Sequence, residues 1–350
     1  MSLCRLLLVA ALLAPWSSGS AAAASARGQA PAGAGDVLVW PRPPASPAVR
    51  YARSVASPAD WGITVSLFGR LLDAISGKPQ DRFVRPTGVA ERDGVLYVAD
   101  PGAAALWIVD AKQNRLQKVE RVGDVTLVSP VAVALGTEGS VFVADSMLKQ
   151  VYSIDRDGKL LGVAAAQGLE RPAGLAFDPV TDRLYVADSV AHRIAVYGPG
   201  GEQIRTIGER GTADGAFNGP AYLARGRHGE VLVTDAYNFR IEAFDRDGRF
   251  LWKAGRAGDG SGDFAAPKGI ATDSDGHVYV VDALFDVVQV FDASGNLLYA
   301  FGDHGVNPGQ FWLPGGIFIS PQDDIYVADA YNRRIQVFRR VPGHEEGAAK

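Results

Sequence analysis

From about residue 83 to residue 338 the chain is a succession of short runs in which apolar and polar residues alternate, broken by turns rich in Gly, Asp and Asn. Alternation with period two marks half-buried β-strands, since successive side chains of a strand point to opposite faces. One passage recurs six times: an apolar run closing on Asp, a short polar link, then a second apolar run. It reads LYVADPGAAALWIVD from Leu96, VFVADSMLKQVYSID from Val141, LYVADSVAHRIAVYG from Leu184, VLVTDAYNFRIEAFD from Val231, VYVVDALFDVVQVFD from Val278 and IYVADAYNRRIQVF from Ile325. The run-ending residues Asp100, Asp145, Asp188, Asp235, Asp282 and Asp329 lie 45, 43, 47, 47 and 47 residues apart. Pro86, Pro130, Pro172, Pro220, Pro267 and Pro314 keep the same beat, each 14 to 16 residues before its aspartate. Strand patterns repeating with a period of roughly 40–50 residues predict an all-β six-bladed β-propeller.

Each unit supplies four strands. The innermost follows the proline, the second carries the YVAD-type text, the third is the RIQVF-type run, and the fourth follows a Gly turn such as Asp245-Arg246-Asp247-Gly248. The sixth unit runs out after its third strand, whereas Val49 to Val55 (VRYARSV) alternates like a strand ahead of the first unit. Residues 49–55 are therefore expected to complete the last blade and close the ring, which removes two free sheet edges. Phe68, Leu71, Leu72 and Ile75 share one helical face, so one short helix is expected near 64–76 within a 49–78 closure segment. Ser57-Pro58-Ala59-Asp60 has the spacing of a capping box for the turn before it. The propeller itself is expected over 79–339, with a loose tail at 340–350.

Composition changes the picture mainly at the N-terminus. Arg5 followed by the apolar run Leu6 to Ala14 and the small residues Ala22-Ala23-Ala24 reads as a signal peptide over 1–24. A Pro/Ala-rich linker over 25–48 follows. The expected location is exported, periplasmic or secreted, with no stable membrane insertion after cleavage. The one cysteine, Cys4, leaves with the signal, so neither a disulfide framework nor thiol chemistry is expected. A formal charge of −4 lacks the basic footprint of a nucleic-acid binder.

The repeated text resembles the NHL-repeat family. Pro172-Ala173-Gly174-Leu175-Ala176-Phe177-Asp178 with Tyr185-Val186-Ala187-Asp188 matches the first half of that repeat, and His192-Arg193-Ile194-Ala195-Val196-Tyr197 the second. Blades four and six match through Asp235, Asn238, Arg240 and through Asp329, Asn332, Arg334. Blades one, two and five depart in the hairpin, carrying Ala105, Gln150 and Val287 in place of Arg. The layout before the first repeat is similar to that of a bacterial subgroup of exported six-bladed propellers. The resemblance specifies fold, and one fold hosts many functions.

Candidate chemistry is sparse. The six aspartates suggest a ring of carboxylates around a channel, where Ca²⁺ could find oxygen ligands. Their occurrence in every blade points instead to turn-stabilising structural markers. Arg193, Arg240 and Arg334 are expected to pair with them. His192, His228, His277, His304 and His344 lack a metal-binding spacing, and no GxSxG, phosphate-loop or dinucleotide motif occurs. No cofactor is expected beyond that Ca²⁺ option. The hairpin tips vary most: Met147, Leu148, Tyr237, Phe239, Leu284, Phe285, Tyr331 and Arg333 are the expected partner-binding residues, with Trp312 beside them. The function these features favour is a non-catalytic binding or scaffold propeller for a protein, peptide or glycan. The competing class is a Ca²⁺- or Zn²⁺-dependent hydrolase or lyase of the lactonase or amidating-lyase type. RNA binding, known in tripartite-motif relatives of the repeat, is disfavoured by the export signal and acidic balance.

Overall fold

The computed structural model describes residues 37–46, 48–64, 82–165 and 167–341. The signal at 1–24, the helix expected at 64–76 beyond its first residue, and the tail from 342 lie outside them.

The strands form where alternation placed them. Blade one comprises Gly88–Arg92, Val95–Asp100, Ala105–Asp110 and Arg115–Val119, paired antiparallel in that order. Blades two to five repeat the meander from Pro130–Leu135, Pro172–Asp178, Pro220–Arg225 and Pro267–Thr272 as their innermost strands. Blade six comprises Ile317–Ile319, Asp324–Asp329 and Arg334–Arg340, and Val49–Val55 pairs antiparallel with the last of these, Val49 opposite Arg340 and Val55 opposite Ile335. Arg340 is thus a strand residue and not part of a tail.

The linker expected to reach residue 48 ends earlier. Val39–Trp40 adds a fifth strand to blade six, with Trp40 opposite Val49. The Trp40 indole sinks against Phe301 and Phe338 at ring separations of 6.1 and 5.8 Å. Burial of that aromatic surface offsets the entropy of ordering a Pro-rich segment. Beyond the closing strand, Pro58–Trp61 forms one 3-10 turn, and Asp60 accepts the amides of Ala56 and Ser57 across it.

Sheet twist and alternation give every blade two apolar faces. Six clusters of buried side chains result, each spanning two neighbouring blades. The sixth-to-first cluster joins Val55, Tyr326, Ala328 and Ile335 to Val89, Leu96 and Trp107, so the ring is continuous. The innermost strands approach closely. A Cβ on Gly174 would stand 2.6 Å from the Ala221 oxygen and the Tyr222 Cα, which is why the second residue after the proline is Gly in blades one, three, five and six. At the same position blade four carries Tyr222. Its ring crosses toward blade six, where a Cβ on Gly315 would lie 3.7 Å from the Tyr222 hydroxyl.

Candidate functional site

Each innermost strand begins, and each second strand ends, at the same end of the ring. That end, the hairpin face, carries the links between second and third strands and the loops arriving from the preceding blade. The aspartates lie here, fully buried, and their carboxylates are already engaged. Asp100 accepts the amides of Val84 and Arg85 at 2.7 and 2.9 Å; Asp188 accepts Glu170 and Arg171 at 2.9 and 2.8 Å; Asp282 accepts Ala265 and Ala266 at 2.7 and 3.1 Å. Asp145 binds the amides of Val128 and Ser129 with one oxygen and those of Met147 and Leu148 with the other. The aspartate therefore ties its own hairpin to the loop entering its own blade. The sequence suggested only the hairpin half of that role, because the loop amides lie 15 to 18 residues upstream.

In blades four and six a buried arginine extends the tie. Arg334 Nε lies 2.7 Å from Asp329, and its terminal nitrogens donate to the carbonyls of Val306, Asn307 and Gln310. Arg240 repeats this with Asp235 and the carbonyls of Thr212, Ala213 and Ala216. Arg193 stands farther from Asp188, at 3.9 Å. Burial raises the pKa of Asp235 and of Asp329 against the lowering influence of these donors.

The position seven residues after the aspartate is Gln in blades five and six. Gln336 donates to Asp329 at 3.0 Å and to the Gln310 carbonyl, and Gln289 donates to the Asp263 carbonyl. Blade four has Glu242 at that position. Its Oε1 accepts the Gly215 amide and lies 3.3 Å from Arg240, while Oε2 is buried with no hydrogen-bond partner. Burial pushes Glu242 up to about 7, against the pull of Arg240.

The residue four after each aspartate is left-handed in every blade: Ala104, Lys149, His192, Phe239, Asp286 and Arg333 have φ between 48° and 59°. This turn aims the side chain at the next blade. His192 Nδ1 accepts the Gly219 amide at 3.1 Å, and Asp286 Oδ1 accepts the Leu313 amide at 2.7 Å. His304 sits on the same Asp286 at 2.6 Å.

The tips divide by position. The residue two after the aspartate is exposed in blades two to six: Met147, Val190, Tyr237, Leu284 and Tyr331. Trp312 stacks on Tyr331 with ring centroids 5.8 Å apart. Arg333 is exposed too. Leu148, Phe239 and Phe285 are only half-exposed; Leu148 packs on the cluster between blades one and two, and Phe239 on that between blades four and five. Leu148 and Phe239 thus pack between blades beside the left-handed turn, while Phe285 is half-exposed next to Leu284.

The opposite face is stitched by ion pairs between neighbouring blades. Arg225 of blade four meets Asp178 of blade three at 2.9 Å, and Arg156 of blade two meets Asp110 of blade one at 3.3 Å. Between blades five and six, Asp273 holds His277 Nδ1 at 2.8 Å and the Tyr279 hydroxyl at 3.2 Å, with Arg340 Nε 3.5 Å away. His228 occupies another turn of this face, its backbone amide bonded to Glu230. Among the described residues no three His, Cys, Asp or Glu side chains converge in a way that could hold a metal ion.

Sequence reasoning passed over Lys268. It follows Pro267 on the innermost strand of blade five, half-buried, with no hydrogen bond or ion pair among the described residues. Desolvation lowers its pKa, and so does the positive charge of Arg171. A lysine directly after the strand-opening proline, where other blades have Thr87, Val131, Ala173, Ala221 and Gly315, was the available signal.

These features define a β-propeller of six four-stranded blades with tied hairpins on one face. More particularly, the NHL repeat model matches residues 169–197 and 311–338, in the third and sixth blades. NHL repeat-containing protein 2 of Bos taurus is 26% identical over 43% of this chain and 28% of the relative, so the chain spans well under a third of that protein. Virginiamycin B lyase from Staphylococcus aureus superposes with a TM-score of 0.56 at 14% identity, covering 74% of this chain and 96% of the lyase chain. A chain of the nidogen/laminin complex superposes with a TM-score of 0.54 at 20% identity, covering 70% and 86%. At such identities the two superpositions establish the fold alone.

Proposed function

We propose that the chain is an exported, non-catalytic binding propeller that engages a protein, peptide or glycan partner through its hairpin face, with no resident metal or cofactor. The observation that carries this reading is the repeated exposure of one apolar side chain at the same hairpin position in five consecutive blades, Met147, Val190, Tyr237, Leu284 and Tyr331, with Trp312 stacked on the last. Amphipathic aromatics held on rigid turns are the side chains that concentrate binding energy at interfaces. The engagement of the aspartates by backbone amides leaves that ring without free ligands for a catalytic cation, which argues against the lyase and lactonase class. The nidogen/laminin chain is a precedent of like fold within a protein complex.

The test is affinity capture with three baits: the native chain, the combined Tyr237→Ser, Leu284→Ser and Tyr331→Ser variant, and a Leu161→Ser, Val163→Ser control altered on an outer strand. Loss of a captured partner by the rim variant alone supports the reading; an identical catch with all three baits refutes it. N-terminal sequencing of the native protein tests export, with a start between residues 23 and 27 expected from the small-residue sites around Ala24.

A further inference from the structure

We propose that Glu242 is a proton-operated lock on the loop entering blade four: as the neutral acid it holds residues 209–217, and through them Tyr237, in place on the hairpin face, and as the carboxylate it releases them. The consequence for partner engagement rests on the hairpin-face reading; the lock itself does not.

Blade six displays the arrangement in full. Gln336 Oε1 accepts the Gly309 amide at 2.9 Å, 27 residues upstream. Its Nε2 donates to the Gln310 carbonyl, 26 residues upstream, and to Asp329 Oδ2 at 3.0 Å. Blade five repeats the carbonyl contact from Gln289 to Asp263, also 26 residues upstream. In blade four Glu242 Oε1 accepts the Gly215 amide, again 27 residues upstream, so Oε2 takes the place of the glutamine nitrogen. The counterparts of that nitrogen's two partners are the Ala216 carbonyl and Asp235 Oδ2. Arg240 bonds both of them, as Arg334 bonds the Gln310 carbonyl and Asp329. Both are acceptors. Oε2, buried without a hydrogen-bond partner, is satisfied at that place as a hydroxyl donor. Glutamic acid, with one donor and one acceptor, imitates glutamine here; glutamate, with acceptors alone, does not.

The surrounding charges favour the neutral form. Burial raises the pKa of Glu242 to about 7, and Asp235 on the second strand and Asp214 in the entering loop add to the rise. Asp214 is itself held by Lys253 of the outer strand. Glu242 shares its strand face with Phe244, which packs on Ile194 and Ile207 of blade three. Tyr185 in the same cluster is kept neutral by burial. The cation in contact is Arg240, 3.3 Å from Oε1, and it is already committed to Asp235 and to the carbonyls of Thr212, Ala213 and Ala216. Proton loss draws the guanidinium toward Glu242 and sets a second negative oxygen against the Ala216 carbonyl. What yields is the loop that those carbonyls belong to. Tyr237 follows it, since its amide donates to the Asn218 carbonyl at 3.0 Å and its ring lies over Gly219, where a Cβ would stand 2.5 Å from Cδ2. The loop is therefore held at acidic pH and loosened as pH rises through about 7.

Amide hydrogen exchange of the native chain tests this with no partner present, read by mass spectrometry at pH 6 and pH 8 with labelling times scaled to the intrinsic rate. Residues 209–219 are expected to lose about tenfold in protection at pH 8, the factor that one pH unit above the midpoint supplies. Residues 303–313, the same loop of blade six over Gln336, are expected to keep theirs. In Glu242→Gln the blade-four loop is expected to stay protected at pH 8. Equal loss in both loops, or a loss that survives in Glu242→Gln, would overturn the lock. The carboxyl carbon of Glu242, followed by NMR in the native chain, gives a readout that needs no variant: titration near the ordinary 4.5 would overturn the proton assignment. Capture by the rim residues is read separately, so either result can fail while the other stands.

Discussion

His192 Nδ1 accepts the backbone amide of Gly219 across the boundary between the third and fourth blades, at 3.1 Å. The histidine of the repeat is therefore a latch between blades, and Asp286 performs the same service for Leu313 at the next boundary but one. His192→Ala should cost about 1 kcal/mol of unfolding free energy through the orphaned amide, whereas His192→Asn, which keeps an acceptor and tolerates the left-handed turn, should recover most of it. Urea denaturation of the two variants decides; equal losses would mean that the bond contributes nothing.

Glu242 gives a pH dependence. Its folded pKa is raised to about 7 from 4.5, so between those values the folded chain holds a proton that the unfolded chain has released. Its contribution is fully present below the ordinary carboxylate range and is lost as pH rises through about 7. Glu242→Gln, which restores the glutamine of blades five and six, should flatten that slope and raise stability at pH 8 by roughly 1–3 kcal/mol. Thermal melts from pH 5 to pH 8 would show it; an unchanged slope would refute the assignment.

Asp329→Ala should be far costlier than any rim substitution. It leaves the Arg334 guanidinium buried without its carboxylate and orphans the Trp312 amide, for a loss of about 3–5 kcal/mol. Adding Arg334→Leu should return part of it, and a purely additive double variant would contradict the coupling.

Neighbouring positions on one tip should behave oppositely. Tyr237→Ser, at an exposed residue, should change stability by no more than about 0.5–1 kcal/mol, whereas Phe239→Ala, two residues on and packed against the cluster between blades four and five, should cost about 2 kcal/mol. Equal costs would mean the tip is not oriented as described.

What the sequence made legible was everything periodic. Six aspartates and six prolines in one register required a ring of like units, and alternation located the strands to within a residue or two. What it concealed depends on contacts between units. Leu148 and Phe239 read as tip residues because composition says nothing of the left-handed turn that tucks them in. Val39–Trp40 read as part of a linker, since two apolar residues among prolines form a strand only when Val49–Val55 already offers them an edge. Lys268 was invisible for a related reason: its burial is a property of the assembled ring and not of its own strand.

The pairing of Val49–Val55 with Arg334–Arg340 sets an order in time. A chain made from its N-terminus produces the closing strand first and its partner nearly last, so every other blade can form hairpin by hairpin while this segment waits unpaired. Closure is then a single late event that carries the entropy of a loop almost as long as the domain. A chain interrupted between Phe301 and Arg334 retains five blades and an open ring, with two apolar blade faces exposed to whatever meets them first.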